Sequence, residues 1–126
     1  MVLIKVGDKE YNVKEAKTEK EKIKGLQGVK ELPKNEGMLF YFDPDEEISM
    51  WMKDTEIPLD IVFINDDFEV TKVHHGKPND ETLVSSPETS YVLEVGERSG
   101  IKVGDTLELD DGPGPVMKVL APDGST

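Results

Sequence analysis

The sequence has no cysteine among its 126 residues. It therefore contains no disulfide bond, thiol nucleophile or cysteine-ligated zinc or iron–sulfur site. Histidine is also scarce, with only His74 and His75 present. Because adjacent residues of a strand point to opposite faces, these two are not expected to bind one metal ion. We expect neither a metal nor another cofactor.

Long apolar segments are missing as well. No stretch approaches the roughly 20 residues that a membrane-spanning helix needs. The apolar start MVLIKV is interrupted by Lys5 and followed at once by Gly7 and Asp8, which is not the pattern of a signal peptide. We therefore expect no membrane contact, and a cytoplasmic or virion-associated protein.

Basic residues are outnumbered, with 15 against 27 acidic ones and a net charge of −12 at pH 7. Since binding to phosphates depends on lysine and arginine, a nucleic-acid partner is not expected. The charge is uneven, because residues 1–34 carry a net +3 and residues 35–126 a net −15. This asymmetry permits self-association or attraction of an acidic protein partner. The alternative is that the N-terminal lysines only solvate the surface.

Short apolar segments separated by turn residues predict a mainly β fold. The expected strands are 2–6, 10–16, 37–42, 48–53, 59–64, 68–75, 91–95, 106–109 and 116–120, with a loop over 76–89. Their number and spacing are typical of a jelly-roll-like β-sandwich or a partly closed barrel. We expect a single β domain over residues 1–120 and a flexible C-terminal tail over 121–126.

A capping box predicts one short α-helix near the N-terminus. In it, the side chain of Thr18 accepts a hydrogen bond from the N–H of Glu21, and the side chain of Glu21 accepts one from the N–H of Thr18. The helix is expected to span 19–27 and to bury Ile23 and Leu26.

The alternation within two strands predicts their buried faces. In 37–42, Met38, Phe40 and Phe42 share one face, and Pro44 with its acidic neighbours is expected to form the next turn. The segment 59–64 is apolar except for Asp60, which predicts a strand that is covered on both sides.

Candidate chemistry is limited to one polar cluster. The acidic turns lack the spacing of a Ca²⁺-binding loop, and no nucleophile elbow, phosphate loop or zinc-protease motif is present. The cluster of candidate site residues comprises Trp51, Lys53, Asp54, Thr55, Asp60 and Glu94. Two interpretations remain open. Lys53 and Asp60 form a structural ion pair with Asp54 and Thr55 capping the loop, or the cluster forms a polar pocket beside Trp51 for a small ligand or peptide group.

Several short motifs stand in the order of one known family. They are Thr18, Glu21 and GL at 25–26; LP at 32–33 and GMLF at 37–40; WMK at 51–53, Thr55 and IPLDIVFI at 57–64; and YVLEV at 91–95 with GIKVGD at 100–105. Over residues 10–108 the chain thus resembles the uncharacterised family named domain of unknown function 192. The resemblance implies a compact, mostly β domain of jelly-roll or barrel-like type, with no established activity, substrate or cofactor.

The chain departs from that family's usual pattern at three positions. Gln27 stands where the family has methionine, Val29 lies near a frequent arginine, and Asp54 replaces an asparagine. If that asparagine and arginine belong to a shared binding site, the site is altered in this chain.

These observations favour a non-enzymatic acidic β domain that acts as a binding or assembly module. Its partner is expected to be another protein or a second copy, and a role as an accessory or decoration protein of a virus particle is included. The alternative is a small-ligand binding protein or enzyme that uses the polar cluster around Lys53 and Asp60. The sequence leaves open whether the protein is an enzyme.

Overall fold

The computed structural model describes residues 1–110, without the side chains of 44–46 and 110. Within this range, seven strands form a single sheet and one short helix packs beside it. The strands are β1 (Val2–Val6), β2 (Lys9–Ala16), β3 (Glu36–Met50), β4 (Leu59–Ile64), β5 (Val70–Gly76), β6 (Val84–Gly96) and β7 (Leu107–Asp110), and the helix is α1 (Glu19–Lys24). Their order in the sheet is β5-β4-β6-β3-β2-β1-β7. Neighbouring strands are antiparallel except for β2 and β3, which are parallel.

The sheet curls so that its two edges meet at one end. Glu69 and Thr106 form an antiparallel bridge between the segments that lead into the edge strands β5 and β7. Beside it, the N–H of Val70 donates to the carbonyl of Asp105 at 2.8 Å. The result is a half-barrel with a little more than half of its described residues in strands. The expected mainly β, partly closed barrel with one short helix is confirmed.

Two apolar layers lie on opposite faces of the sheet. The first contains residues from all seven strands, such as Val13, Leu39 and Leu93, and therefore fills the inside of the half-barrel. The second lies on the outer face of β3, β4 and β6 and includes Phe40 and Phe63. Every residue of β4 is buried, as its apolar sequence predicted.

The outer layer is covered by two connecting segments. Leu26 follows α1 and is 6% exposed, and Met52 follows β3 and is 2% exposed. Met52 packs directly on Gly76, where a Cβ atom would come within 2.6 Å of the methionine sulfur. These segments take the place of a second sheet.

The predicted capping box is present at the start of α1. The N–H of Glu21 donates to Oγ1 of Thr18 at 3.1 Å, and the N–H of Thr18 donates to Oε1 of Glu21 at 3.0 Å. The helix is shorter than predicted because Gly25 adopts φ 48° and ends it. The prediction that Ile23 is buried is wrong, since its side chain is 74% exposed.

The predicted turn at Pro44 and the separate strand over 48–53 are wrong. β3 continues through this region, and its register against β6 shifts twice, between Tyr41 and Glu46 and again before Ile48. Such irregularities absorb extra residues and accommodate a proline without ending the strand. The expected loop over 76–89 is also shorter, because β6 begins at Val84 and pairs with this extended part of β3.

The turn between β4 and β5 forms as predicted. The side-chain oxygen of Asn65 accepts hydrogen bonds from the N–H groups of Asp67 and Glu69, both at 2.9 Å. The strand expected over 116–120, the end of the domain at 120 and the tail over 121–126 lie outside the described residues.

Candidate functional site

A cavity of about 750 Å³ lies on the outer face of the half-barrel. One wall is α1 with the turn that follows it, and the opposite wall is the end of β3 with the segment 51–55. Phe40 and Glu94 reach it from the sheet. Its other lining residues are Glu19, Lys22, Ile23, Lys24, Gly25, Leu26, Gln27, Phe42, Asp43, Ile48, Ser49, Met50, Trp51, Lys53, Asp54 and Thr55.

The two walls are joined by hydrogen bonds between distant parts of the chain. The side-chain amide of Gln27 donates to the carbonyl of Lys53 at 3.3 Å, and the N–H of Gly28 donates to the carbonyl of Asp54 at 3.3 Å. The hydroxyl of Thr55, which is buried, donates a hydrogen bond to the same Lys53 carbonyl at 3.2 Å. The turn after α1 is therefore held over the segment 53–55.

Gly25 brings the backbone close to the sheet at the inner end of the cavity. Its φ of 48° lies in the left-handed region that favours glycine. A Cβ atom at this position would lie 3.4 Å from Cζ of Phe40 and 3.9 Å from Oε1 of Glu94. A larger side chain here would therefore narrow the access to Glu94.

Asp54 also has a left-handed backbone, with φ 56°. Asparagine and aspartate both adopt this conformation more readily than most residues. The departure from the family's asparagine at this position therefore keeps the turn and adds a negative charge to the cavity wall.

Glu94 is the central polar group of the cavity. It lies on β6, opposite Met38 of β3 and Ile61 of β4, and is 4% exposed. Within residues 1–110, no group donates a hydrogen bond to its carboxyl or forms an ion pair with it. Neither carboxyl oxygen is fully shielded from solvent. The small exposed part of the side chain opens into the cavity.

Burial raises the pKa of Glu94 to about 8, because an apolar environment disfavours the charged form. The carboxyl is therefore mostly protonated at pH 7. A neutral carboxyl both donates and accepts hydrogen bonds, so Glu94 offers both functions to whatever enters the cavity.

Two aromatic rings of the cavity already contact ammonium groups. Nζ of Lys22 lies 4.6 Å from the centre of the Phe42 ring, and Nζ of Lys53 lies 5.3 Å from the centre of the Trp51 ring. Trp51 is 41% exposed and so presents a large aromatic surface at the opening. The cavity combines aromatic walls with charged side chains.

The structure brings five of the six candidate site residues together. Trp51, Lys53, Asp54, Thr55 and Glu94 all line the cavity. The first four are adjacent in sequence, whereas Glu94 joins them through the pairing of β6 with β3.

Asp60 lies elsewhere, and its expected ion pair with Lys53 is wrong. Alternation along β4 places Asp60 on the same side as Val62, which belongs to the layer inside the half-barrel. Its carboxylate accepts hydrogen bonds from the hydroxyl of Ser99 at 2.6 Å and from the N–H of Ser99 at 3.0 Å. Nδ1 of His75 lies 2.8 Å from its other oxygen.

The environment of Asp60 favours its charged form. Burial is the largest single influence and opposes ionisation, but the hydrogen bonds from Ser99 and His75 outweigh it and lower the pKa of Asp60 below the ordinary 3.8. Asp60 is thus a structural carboxylate that fixes the loop around Ser99 to β4 and β5.

Lys22, Gly25 and Phe42 line the cavity but were not predicted as site residues. The glycine within the GL motif at 25–26 is the one sequence signal that pointed to this turn, and nothing in the sequence indicated Ser99 as a partner of Asp60.

In the part of the chain that is described, no three His, Asp or Glu side chains are arranged to hold a metal ion. None of its helices has the length and apolar character to cross a membrane.

The chain is a mainly β half-barrel with a cavity on the outer face of its sheet. The chain belongs to the family DUF192, described as "Uncharacterized ACR", whose model matches residues 2–109. No curated protein matches the chain.

Two solved structures are similar to the chain. One is a protein of unknown function from Novosphingobium aromaticivorans DSM 12444, with 35% sequence identity, a TM-score of 0.79, and coverage of 84% of this chain and 83% of that chain. The other comes from Sinorhizobium meliloti 1021 and is described as a "putative transcription regulator". It has 28% identity and a TM-score of 0.81, with 86% of this chain and 92% of that chain covered.

Proposed function

We propose that the protein binds a small organic molecule in the cavity that contains Glu94. The observation that carries this proposal is the carboxyl of Glu94, which is 4% exposed and has no hydrogen-bond partner within the described residues. The small exposed part of this carboxyl opens into the cavity. A ligand in the cavity can therefore hydrogen-bond to Glu94 without displacing a protein group.

The shape and lining of the cavity support the same proposal. Its volume of about 750 Å³ falls in the range of roughly 300–1,000 Å³ that is typical of small-molecule sites. Its described lining is mixed, with seven apolar or aromatic side chains and ten polar or charged ones, so a ligand meets both aromatic surface and hydrogen-bonding groups. The histidines, which are the usual general bases, lie on β5 and do not line the cavity. We propose binding and assign no reaction to the cavity.

A fragment screen by thermal denaturation tests the proposal. We expect some small aromatic fragments to raise the melting temperature of the wild type, because a ligand that binds only the folded state stabilises it. Trp51→Ala should reduce this shift, since it removes the aromatic surface at the opening. Glu97→Gln changes an exposed carboxylate that does not line the cavity and should leave the shift unchanged. A screen without any fragment that distinguishes Trp51→Ala from wild type would contradict the proposal.

A second candidate function is docking to a protein partner or to another copy of the chain. It is favoured by the uneven charge and by two exposed apolar side chains, Leu83 at 62% and Val103 at 65% exposure. Native mass spectrometry at micromolar concentration tests it, because a monomer at all concentrations would argue against self-association.

The structure and the comparisons offer no support for a role in a virus particle. The description of one relative as a regulator does not favour DNA contact here, because the net charge of −12 opposes binding to phosphates.

A further inference from the structure

We infer that the ligand carries a protonated amine, and that this ammonium group pairs with the carboxylate of Glu94 inside the cavity. This inference rests on the proposed function and narrows the ligand to primary amines with an apolar or aromatic body.

The first argument is the missing counter-charge at Glu94. The charged side chains that line the cavity besides Glu94 are Glu19, Lys22, Lys24, Asp43, Lys53 and Asp54. None of them perturbs Glu94, because burial is the sole cause of its raised pKa. The lysines of residues 1–110 therefore do not neutralise this carboxyl. An ammonium group supplies the missing positive charge and three hydrogen-bond donors.

The second argument is the charge around the cavity. Among the described side chains, three lysines and three carboxylates line its walls besides Glu94, and Lys22 is paired with Glu19 at 3.6 Å. The walls therefore offer a ligand no excess of positive charge, whereas the whole chain carries −12. The overall charge of the chain favours the approach of cations over anions, although α1 itself lies in the N-terminal part with a net +3.

The third argument is the affinity of the walls for ammonium groups. The rings of Phe42 and Trp51 already hold the ammonium groups of Lys22 and Lys53 at 4.6 and 5.3 Å from their centres. Such cation–aromatic contacts are favourable when the cation is partly desolvated. An incoming amine therefore meets aromatic surface of the same kind on its way to Glu94.

The inference predicts that a proton is released on binding. An ammonium ligand enters with its proton, the carboxyl of Glu94 loses its proton to the solvent, and an ammonium–carboxylate pair forms. No covalent bond is made or broken. Because Glu94 is mostly protonated at pH 7 in the free protein, the release should approach one proton per ligand.

Calorimetric titration of the wild type with three matched probes tests the inference. Benzylamine, benzyl alcohol and benzoate share one ring and differ in the charge of the polar end. Titrations at pH 7 in phosphate and in HEPES, neither of which contains a primary amine, give the number of protons released, since the two buffers differ in ionisation enthalpy. We expect benzylamine to bind at least ten-fold more tightly than either other probe and to release close to one proton.

Two variants locate the effect. Glu94→Gln keeps the size and hydrogen bonding of the neutral side chain, and should weaken benzylamine at least ten-fold and abolish the proton release. Glu97→Gln removes an exposed carboxylate outside the cavity and should change neither quantity. A melting curve of each variant shows that it is folded.

The possible failures are distinguishable. If benzyl alcohol or benzoate binds as tightly as benzylamine, or if benzylamine binds without proton release, the ammonium inference is overturned while the cavity remains a binding site. The same holds if none of the three probes binds but fragments still stabilise the wild type through Trp51. If no fragment binds either, the proposed function itself fails.

Discussion

Replacing Glu94 by glutamine is expected to stabilise the protein increasingly as the pH rises from about 4.5 to about 8. The unfolded chain ionises Glu94 near its ordinary pKa of 4.5, whereas burial raises the pKa in the folded state to about 8. Between these values the folded state holds more protons than the unfolded state, so the free energy of unfolding of the wild type falls as the pH rises. Glutamine does not ionise, so the free energy of unfolding of the variant does not fall with pH for this reason.

The magnitude follows from the difference between the two pKa values. Each pKa unit corresponds to about 1.4 kcal/mol, so the full separation between 4.5 and about 8 amounts to about 5 kcal/mol. Water that enters the cavity lowers this figure by solvating the carboxylate. We expect Glu94→Gln to be more stable than wild type by about 2–5 kcal/mol at pH 8.5 and to differ much less at pH 4.5.

Urea denaturation between pH 4.5 and 8.5 measures this difference. Subtracting the wild-type curve from that of the variant removes the contributions of the other titrating groups that both proteins share. Glu97→Gln, which changes an exposed carboxylate, should follow the wild type within about 0.5 kcal/mol. A difference between Glu94→Gln and wild type that stays constant with pH would refute the reasoning, because Glu94 would then titrate alike in both states.

Three further substitutions test the fold. Phe40→Ala should destabilise the domain by about 3–5 kcal/mol, because the ring is fully buried in the outer layer; a loss below 1 kcal/mol in urea denaturation would contradict this. Thr18→Ala removes the capping box and should lower stability by about 0.5–2 kcal/mol, and an unchanged melting temperature would count against the role of the cap. Asp60→Asn weakens the hydrogen bonds to Ser99 and should cost about 1.5–3 kcal/mol near neutral pH. Because the pKa of Asp60 is lowered in the folded state, this wild-type advantage is complete above about pH 5 and shrinks on acidification, and a difference that does not vary with pH would rule it out.

Local features of the chain were predictable because their causes are local. The capping box of Thr18 and Glu21 and the turn at Asn65 depend on residues within four positions of each other. The alternation around Phe40 and the apolar run of β4 likewise follow from the period of a strand.

Features that depend on distant pairing were not predictable. β3 continues past Pro44 because residues 84–89 pair with it, and nothing near Pro44 indicates that partner. The prediction that Ile23 and Leu26 share one buried helix face failed because the helix ends at Gly25, before Leu26. Leu26 is buried, whereas Ile23 is exposed.

Five of the six candidate site residues line one cavity, but their arrangement was not predicted. Trp51, Lys53, Asp54 and Thr55 are contiguous, so any fold that uses this segment brings them together. Glu94 stood out as a carboxylate within an apolar strand. Asp60 was assigned to the same cluster because of its proximity in sequence, but the alternation of β4 directs it to the opposite face. The side of β4 that faces the inside of the half-barrel depends on how all the strands pair, which the sequence around Asp60 does not reveal.

A direct titration of the Glu94 side chain is the most decisive test of the account. Carbon-13 NMR of the glutamate side-chain carboxyl groups, assigned with the Glu94→Gln variant, gives the pKa of Glu94 in the folded protein. We predict a value near 8 in the free protein, and a fall to about 6 or lower when benzylamine is bound, because the ammonium group stabilises the carboxylate. A pKa near the ordinary 4.5 in the free protein would mean that the carboxyl is already solvated or paired. It would contradict the claim that Glu94 is a buried group whose hydrogen bonds are available to a ligand.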